Sequence, residues 1–456
     1  MIKAMSLKRR FLSVLCWGRS IEGQTGRGSS QLHHGLLPPF GLENVEVSCV
    51  SAGLQTSGFV SKNGKAYTCG SGLGLGFAEK YKSNPTLLGI EADVSKIFLG
   101  ESTGVALDSF SSFPYVWGVG SEGQLGLGGA MGPQGSYHGG EQLTLSSLPL
   151  ALKGEALVSA ALTRHRTILL TQNGKVFVAG SGFSGELGVA SSSGVITSPA
   201  SVVGIPENER VVSIAGGLTF SLAATSSGRL FFWGSLGHGG ENTATLKHFS
   251  PVELILPGRS SANYKTLRVA AGLHHALVTD GAALWAIGSS WRNGGFEENE
   301  GLVRRVTLPR GVKKLGPIAA GPWSAGVVTD DCEIWLAGRI ESPFLLGGDV
   351  GPSATKSISE ALKVCEEEQE QGGNRAQSLD KRSLDFSRAE LLQELGLDDE
   401  IGVKGAFNGD GLTLLKNGIV FSPRLVRVID TALRGKRVKD LALGSAHAIA
   451  VVENIV

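Results

Sequence analysis

The strongest constraint on this chain is a unit that it writes out repeatedly, and residues 211–234 show it in full. Val211–Ala215 is a short apolar run of strand length, broken by Gly216-Gly217. Phe220–Ala224 is a second run. Ser226-Ser227-Gly228 is a turn whose glycine supplies the positive φ of a tight hairpin, and Arg229–Trp233 is a third run closed by Gly234. The pattern is strand, turn, strand, hairpin, strand.

Copies of this unit run through most of the chain. Opening glycines or their stand-ins fall at Gly53, Gly100, Leu162, Gly216, Gly272, Gly321 and Gly444. Closing apolar-glycine pairs fall at Trp17-Gly18, Cys69-Gly70, Trp117-Gly118, Ala179-Gly180, Trp233-Gly234, Ile287-Gly288 and Ala337-Gly338. Hairpin turns lie between them at Asn63-Gly64-Lys65, Asn173-Gly174-Lys175, Ser227-Gly228-Arg229 and Asp280-Gly281-Ala282, and glycine loops follow at Gly123-Gln124-Leu125-Gly126 and Gly185-Glu186-Leu187-Gly188. From Gly53 to Gly321 the step between copies is 47 to 62 residues. Such a period, with four short strands per copy, points to radial sheets around an axis, an all-β propeller.

These motifs resemble the regulator of chromosome condensation repeat family: Ala-Gly, then Thr or His three residues on, a hairpin, and Trp-Gly leading to Gly-Gln-Leu-Gly. The resemblance implies an RCC1-like β-propeller of seven blades. A degenerate copy at 403–422 leaves eight blades, or an outer hairpin laid on blade seven, as alternatives. The chain begins with a closing strand, 13–17, that lacks the first half of its repeat, and ends with a first half, 438–452, that lacks a closing strand. Pairing of the two would close the ring and remove its free edges.

The domain reading is a basic tail or short mitochondrial presequence over 1–12, propeller blades over 13–339, an acidic helical insertion over 340–402, and a degenerate hairpin with ring-closing strands over 403–456. Lys3, Lys8, Arg9 and Arg10 precede the first acid, Glu22, which carries the presequence reading. In the insertion, Glu366-Glu367-Glu368-Gln369-Glu370 lies in a solvated helical stretch. Ser387 to Glu390 has capping-box spacing ahead of Leu391, Leu392 and Leu395.

Composition narrows the chemistry. Lys and Arg total 42 against 41 Asp and Glu, so there is no global pull toward nucleic acid or an anionic membrane. Cys16, Cys49, Cys69, Cys332 and Cys365 form no Cys-x-x-Cys pair and read as thiols of a reducing compartment. No apolar run approaches the roughly 20 residues of a membrane span. Gly118-x-Gly120-x-x-Gly123 and Gly180-x-Gly182-x-x-Gly185 match a dinucleotide fingerprint in letters only, since no helix follows to take a phosphate. His165, His275 and His447 stand three residues after the opening position, where other copies carry Thr56, Thr103, Thr219 and Ser324. A position that accepts all three residue types is a hydrogen-bonding slot rather than a metal site.

No catalytic signature, cofactor motif or metal set stands out, and the expected function is a non-enzymatic interaction scaffold. It would present propeller rim loops to a protein or ribonucleoprotein partner, with direct nucleic-acid binding left open. Two basic clusters are the candidate contacts: Arg304, Arg305, Arg310, Lys313 and Lys314, and Arg434, Lys436 and Arg437. The family resemblance also implies an alternative, guanine-nucleotide exchange on a small GTPase; the hairpin around Lys416-Asn417-Gly418 is a candidate wedge, but it stands at a different place from the earlier-blade wedge of the family's founder, and no residue carries over. The repeated Gly-Trp-Arg-His-Thr motif of the plant ultraviolet-B receptor is absent, with Ser290-Trp291-Arg292 a lone partial match. The expected location is cytoplasm or nucleus, with the mitochondrion as the alternative.

Overall fold

The computed structural model describes residues 12–28, 30–128, 144–145, 152, 154–189, 194–236, 246–259, 266–288, 302–340, 413–414, 420–428 and 430–455. Among them, helical backbone is confined to two 3-10 turns, Leu73–Leu75 and Thr431–Leu433. Everything else that is regular is strand.

The chain opens with β1 (Leu12–Ser20) and β2 (Ser30–Leu37). Blade one is β3 (Val47–Ala52), β4 (Thr56–Ser61), β5 (Ala66–Ser71) and β6 (Tyr81–Leu87). Blade two is β7 (Val94–Leu99), β8 (Thr103–Asp108), β9 (Pro114–Gly118) and β10 (Thr144–Leu145). Blade three is β11 (Leu157–Leu162), β12 (Arg166–Thr171), β13 (Val176–Ser181) and β14 (Val195–Ser201). Blade four is β15 (Val211–Gly216), β16 (Phe220–Thr225), β17 (Leu230–Leu236) and β18 (Leu246–Glu253). Blade five is β19 (Arg268–Ala271), β20 (His275–Thr279), β21 (Leu284–Gly288) and β22 (Val303–Arg305). Blade six is β23 (Leu315–Ala320), β24 (Ser324–Thr329), β25 (Ile334–Ile340), β26 (Thr413–Leu414) and β27 (Val420–Arg427). The last strands are β28 (Lys436–Leu443) and β29 (His447–Asn454).

Seven antiparallel sheets result, and the seventh is composite, in the order β2-β1-β29-β28. β1 pairs with β29 without interruption from Leu12 opposite Glu453 to Gly18 opposite His447. The two half-repeats therefore complete one blade, as the sequence leads one to expect. Among the described residues no eighth blade is formed. β27 serves as the fourth strand of blade six, and β26 adds a two-residue fifth strand outside it. The late hairpin thus belongs to blade six, not blade seven, and its turn at 416–418 lies outside the described residues. So do the helices expected within 340–402 and the tail over 1–11.

The first strand of each blade packs on the first strands of its neighbours around the axis. Second strands are buried on both faces, which is why β4, β12, β16 and β24 read as unbroken apolar or hydroxyl runs. Seven apolar clusters fill the seven interfaces between blades. Across the blade seven to blade one joint, for example, Val14, Ile449 and Val451 meet Val47, Val50 and Phe59. The closing apolar-glycine pair has a steric cause. Gly70 has φ +115°, and a Cβ there would sit 2.1 Å from the Gln55 carbonyl oxygen, which accepts from the Ser71 amide.

This arrangement gives the ring two unlike rims. Loops from first to second strands and from third to fourth strands lie on one, the loop rim. Second-to-third hairpins and the connections between blades lie on the other, the hairpin rim.

Candidate partner-binding rims

On the loop rim, each first-to-second loop is closed by a main-chain hydrogen bond. Gly53, Gly100, Thr163, Gly217, Gly272, Gly321 and Gly444 donate to the carbonyls of Thr56, Thr103, Arg166, Phe220, His275, Ser324 and His447, at 2.8–2.9 Å. These seven acceptors occupy equivalent slots, all buried. In blades three and four the slot lies one residue later than the sequence pattern places it. Arg166 and Phe220 fill it, and His165 and Thr219 precede it, because the loops start at Thr163 and Gly217 rather than at Leu162 and Gly216.

The slot explains the glycine that opens each loop. A Cβ on Gly444 would lie 2.0 Å from His447 Cε1, and one on Gly272 would lie 2.4 Å from His275 Cε1. Blade three carries Thr163 instead, because Arg166 stretches away into blade four. Its Nη1 donates to Leu218 O at 2.8 Å, and its Nη2 donates to Gly217 O at 2.9 Å and Phe220 O at 2.5 Å. Burial pushes the guanidinium down to about 10, with Glu186 pulling it back up. His275 Nε2 donates in the same sense to Ser324 O, at 3.2 Å, in the next blade. The slot thus ties neighbouring blades together. Among the described residues no cluster of three or more His, Cys, Asp and Glu side chains is disposed to hold a metal ion.

The glycine loops do similar work. Gln124 O accepts from Thr167 Oγ1 of the next blade at 2.7 Å, and Glu186 O accepts from Ser221 Oγ at 2.9 Å. Their side chains fold back onto their own loops: Gln124 Oε1 accepts from the Glu122 amide at 2.8 Å, and Glu186 Oε2 accepts from the Ser184 amide at 2.7 Å.

Above the slots, Leu54, Glu101, Arg164, Leu218, Leu273 and Pro322 surround an axial cavity of about 100 Å³. That is below the roughly 300 Å³ at which small-molecule sites begin. Main-chain bonds from Leu218 to Leu273 (2.8 Å) and from Leu273 to Pro322 (3.4 Å) tie its edge. Nearby, Glu122 Oε2 accepts from both His165 Nδ1, at 2.8 Å, and Ser181 Oγ. A nucleophilic triad would need the serine on the other ring nitrogen, so this cluster is a loop brace. Burial raises the thiols of Cys16 and Cys69, which disfavours the reactive thiolate.

On the hairpin rim the cations of the hairpins of blades one, three and four are matched. Lys62 pairs with Glu46 at 3.2 Å, Lys65 with Asp93 at 3.7 Å and Lys175 with Glu155 at 2.5 Å. Arg229 pairs with Glu209 at 3.2 Å and with Glu253 at 2.6 Å. The two basic clusters break this pattern. Arg310, Lys313 and Lys314 lie on the connection from blade five to blade six, with Arg305 at the end of β22 beside it. Arg434 lies on the connection from blade six to blade seven, and Lys436 and Arg437 open β28 beside it. Among the described residues none of these seven has a carboxylate within ion-pair distance, and all but half-buried Lys436 are exposed. Glu453 stands across the ladder from Arg437 but gives its carboxylate to Lys439, at 2.9 Å. Arg304 differs from its neighbour: it is half-buried, engaged in contacts of its own, and alternates away from Arg305 along β22.

The fold brings both clusters to the same rim, on either side of the blade six hairpin. Phe110 stands on that rim too, fully exposed at the tip of the blade two hairpin. Asp108 Oδ1 pins the tip by accepting from the amides of Phe110 (2.8 Å) and Ser111 (2.6 Å). Neither the clustering of the two basic stretches nor the pinned aromatic tip is marked by any local motif.

A scan against protein-family profiles finds no match to the chain. Several characterised proteins are nonetheless similar to it. The secretion-regulating guanine nucleotide exchange factor of Bos taurus is 34% identical over 42% of this chain and 39% of its own. The RCC2 homologue of Xenopus laevis is 26% identical over the same shares. The mitochondrial RCC1 domain-containing protein RUG3 of Arabidopsis thaliana is 28% identical over 60% of this chain and 61% of its own. The chain thus spans about two fifths of the length of the first two. Among solved structures, yeast RCC1 (Prp20) bound to Kap60 superposes with a TM-score of 0.64 at 16% identity, over 98% of this chain and 90% of that one. Human WBSCR16 does so with a TM-score of 0.63 at 16% identity, over 98% and 100%.

Repeats, ring closure and these likenesses define a seven-bladed propeller built from glycine-marked units. The chain is an RCC1-like β-propeller.

Proposed function

We propose that this chain is a non-enzymatic interaction scaffold that presents its hairpin rim to a protein partner. The observation that carries this is the break in charge pairing. Among the described residues Arg305, Arg310, Lys313, Lys314, Arg434, Lys436 and Arg437 have no ion-pair partner, on a rim whose hairpins pair Lys62, Lys65, Lys175 and Arg229 with acids. Unsatisfied charge kept in water speeds the encounter with an oppositely charged surface and selects among partners. Phe110, held out on a fixed tip, supplies an aromatic anchor of the kind that protein interfaces favour. The first-to-second-strand loops are drawn together by inter-blade bonds, and the axial cavity that they surround is about 100 Å³.

The second reading is guanine-nucleotide exchange on a small GTPase, which the likeness to the Bos taurus exchange factor favours. Exchange needs no catalytic side chains of the ordinary kinds, so the lack of a triad does not count against it. The likeness to the Arabidopsis protein named as mitochondrial favours the mitochondrial alternative for location. Affinity capture of the tagged protein at low salt, with proteins and RNA both identified, separates the readings. A nucleotide-free GTPase whose fluorescent nucleotide is released faster by the pure chain supports exchange. A protein or ribonucleoprotein set without a GTPase supports the scaffold, and capture of nothing above a mock purification refutes both.

A further inference from the structure

The two unmatched basic clusters do not form one patch, because an acidic tip divides them. The blade six hairpin between β24 and β25 carries Asp330, Asp331 and Glu333. From 302 to 329 the chain has no acid at all, so the tip is an abrupt reversal of charge. The Asp330 amide donates to Lys314 O at 3.0 Å, which sets the tip directly against the first cluster. β23 and β24 pack on β28, which brings the second cluster to the other side of the same hairpin. Glu333 is already used: Arg427 Nη1 lies 2.7 Å from its Oε1, and Trp335 Nε1 donates to its Oε2 at 3.2 Å. Asp330 and Asp331 are exposed, and among the described residues neither forms an ion pair. Base, acid and base therefore stand side by side on one rim without neutralising one another.

We infer that this rim is built for a protein segment of reciprocal charge, acidic at both ends with a basic centre seated on Asp330 and Asp331. This rests on the scaffold reading and names the partner's chemistry. A nucleic-acid backbone is the poorer occupant. It carries one sign of charge throughout, and a strand that spans both clusters must bring phosphates over two unpaired carboxylates. A protein segment can alternate sign and match all three parts, and the mismatched alternatives are rejected by the same carboxylates.

The test uses the full chain at low salt and fluorescence anisotropy with three labelled probes. One is an acidic peptide with two central lysines, one is the same peptide with glycines at its centre, and one is a mixed-sequence single-stranded RNA of similar length. The lysine-centred peptide binds about threefold or more tighter than the glycine-centred one, the size expected of one or two exposed ion pairs. Asp330→Asn with Asp331→Asn removes that preference, and Arg434→Glu with Arg437→Glu weakens both peptides about tenfold. Equal binding of the two peptides, binding of neither, or RNA binding that exceeds both and grows on neutralising Asp330 and Asp331 overturns the inference. If it falls while Arg434→Glu with Arg437→Glu still abolishes partner capture from cells, the scaffold reading stands without it.

Discussion

The Arg166 guanidinium of blade three donates to the main-chain oxygen of Phe220 in blade four, the residue that fills Arg166's own slot one blade on. The bond passes from slot to slot around the axis, and His275 repeats it toward Ser324. Blades of a propeller touch mainly through apolar layers, which do not by themselves set how far one blade slides on the next. Polar links at the axis fix that register.

Replacing Arg166 by Met keeps most of its bulk, strips the Gly217 and Leu218 carbonyls of their donor and leaves Phe220 O with the Gly217 amide alone. Buried, unsatisfied acceptors cost about 1–3 kcal/mol each, so the variant loses on the order of 3 kcal/mol or more. Thermal melting followed by circular dichroism checks this, and a melting temperature equal to the parent's counts against the slot as a structural link.

Glycines of this chain separate into those that make room and those that do not. Gly444→Ala puts a methyl 2.0 Å from Cε1 of the buried His447 ring and destabilises by about 1–3 kcal/mol. Gly89→Ala meets nothing within 4 Å at a φ open to alanine, and melts at or slightly above the parent temperature. Equal melting temperatures for the two variants would contradict the steric account.

Two groups of the composite blade, buried His447 and half-buried Asp440, titrate in opposite senses. Burial pushes His447 down to about 4 from its ordinary 6.5, with the Thr56 backbone pulling the other way. Its contribution is present above pH 6.5 and is lost as pH falls through about 4. Burial pushes Asp440 up to about 6 from 3.8, against hydrogen bonds from the Leu441 and Val50 backbone. Its contribution is present below pH 3.8 and is lost as pH rises through about 6. Each amounts to on the order of 3 kcal/mol across its window, and between pH 4 and 6 the two offset one another. Urea midpoints of Asp440→Asn should rise with pH more steeply than the parent's in that range, and those of His447→Gln should fall. Three parallel curves would refute the assignment.

Ring closure makes the last residues part of the core. Removing 441–456 deletes β29, from which β1 takes its pairing partner, and strips Ile449 and Val451 from the joint with blade one. The truncated chain should lose its cooperative melting transition. A full transition near the parent temperature would show that blade seven is dispensable.

Most of the fold is legible in the sequence because each blade repeats its steric demands. The closing glycines Gly18, Gly70, Gly118, Gly180 and Gly234 sit where a Cβ would come within 2.1–2.5 Å of a neighbouring main-chain oxygen, so they mark their blades alike. Arg166 escaped because its slot breaks the rule that defines the others. A long side chain that leaves the slot frees the opening position from glycine, and Thr163 in that place was the available signal. The blade count was ambiguous because 403–422 looks like a repeat start, whereas β27 completes a blade that opens about a hundred residues earlier. The split of Arg304 from Arg305 follows from the two-residue period of a strand. Alignment of the 310–314 and 434–437 connections on one rim required the ring, since nothing local relates segments so far apart.

The most direct test of the central claim is affinity capture from the protein's own cells with the parent and a rim variant, Arg305→Glu, Arg310→Glu, Arg434→Glu and Arg437→Glu, compared at equal expression. Circular dichroism of the purified variant confirms its melting transition. The account predicts a variant that melts like the parent and loses the parent's partners. A folded variant that captures the same partners in the same amounts would contradict it.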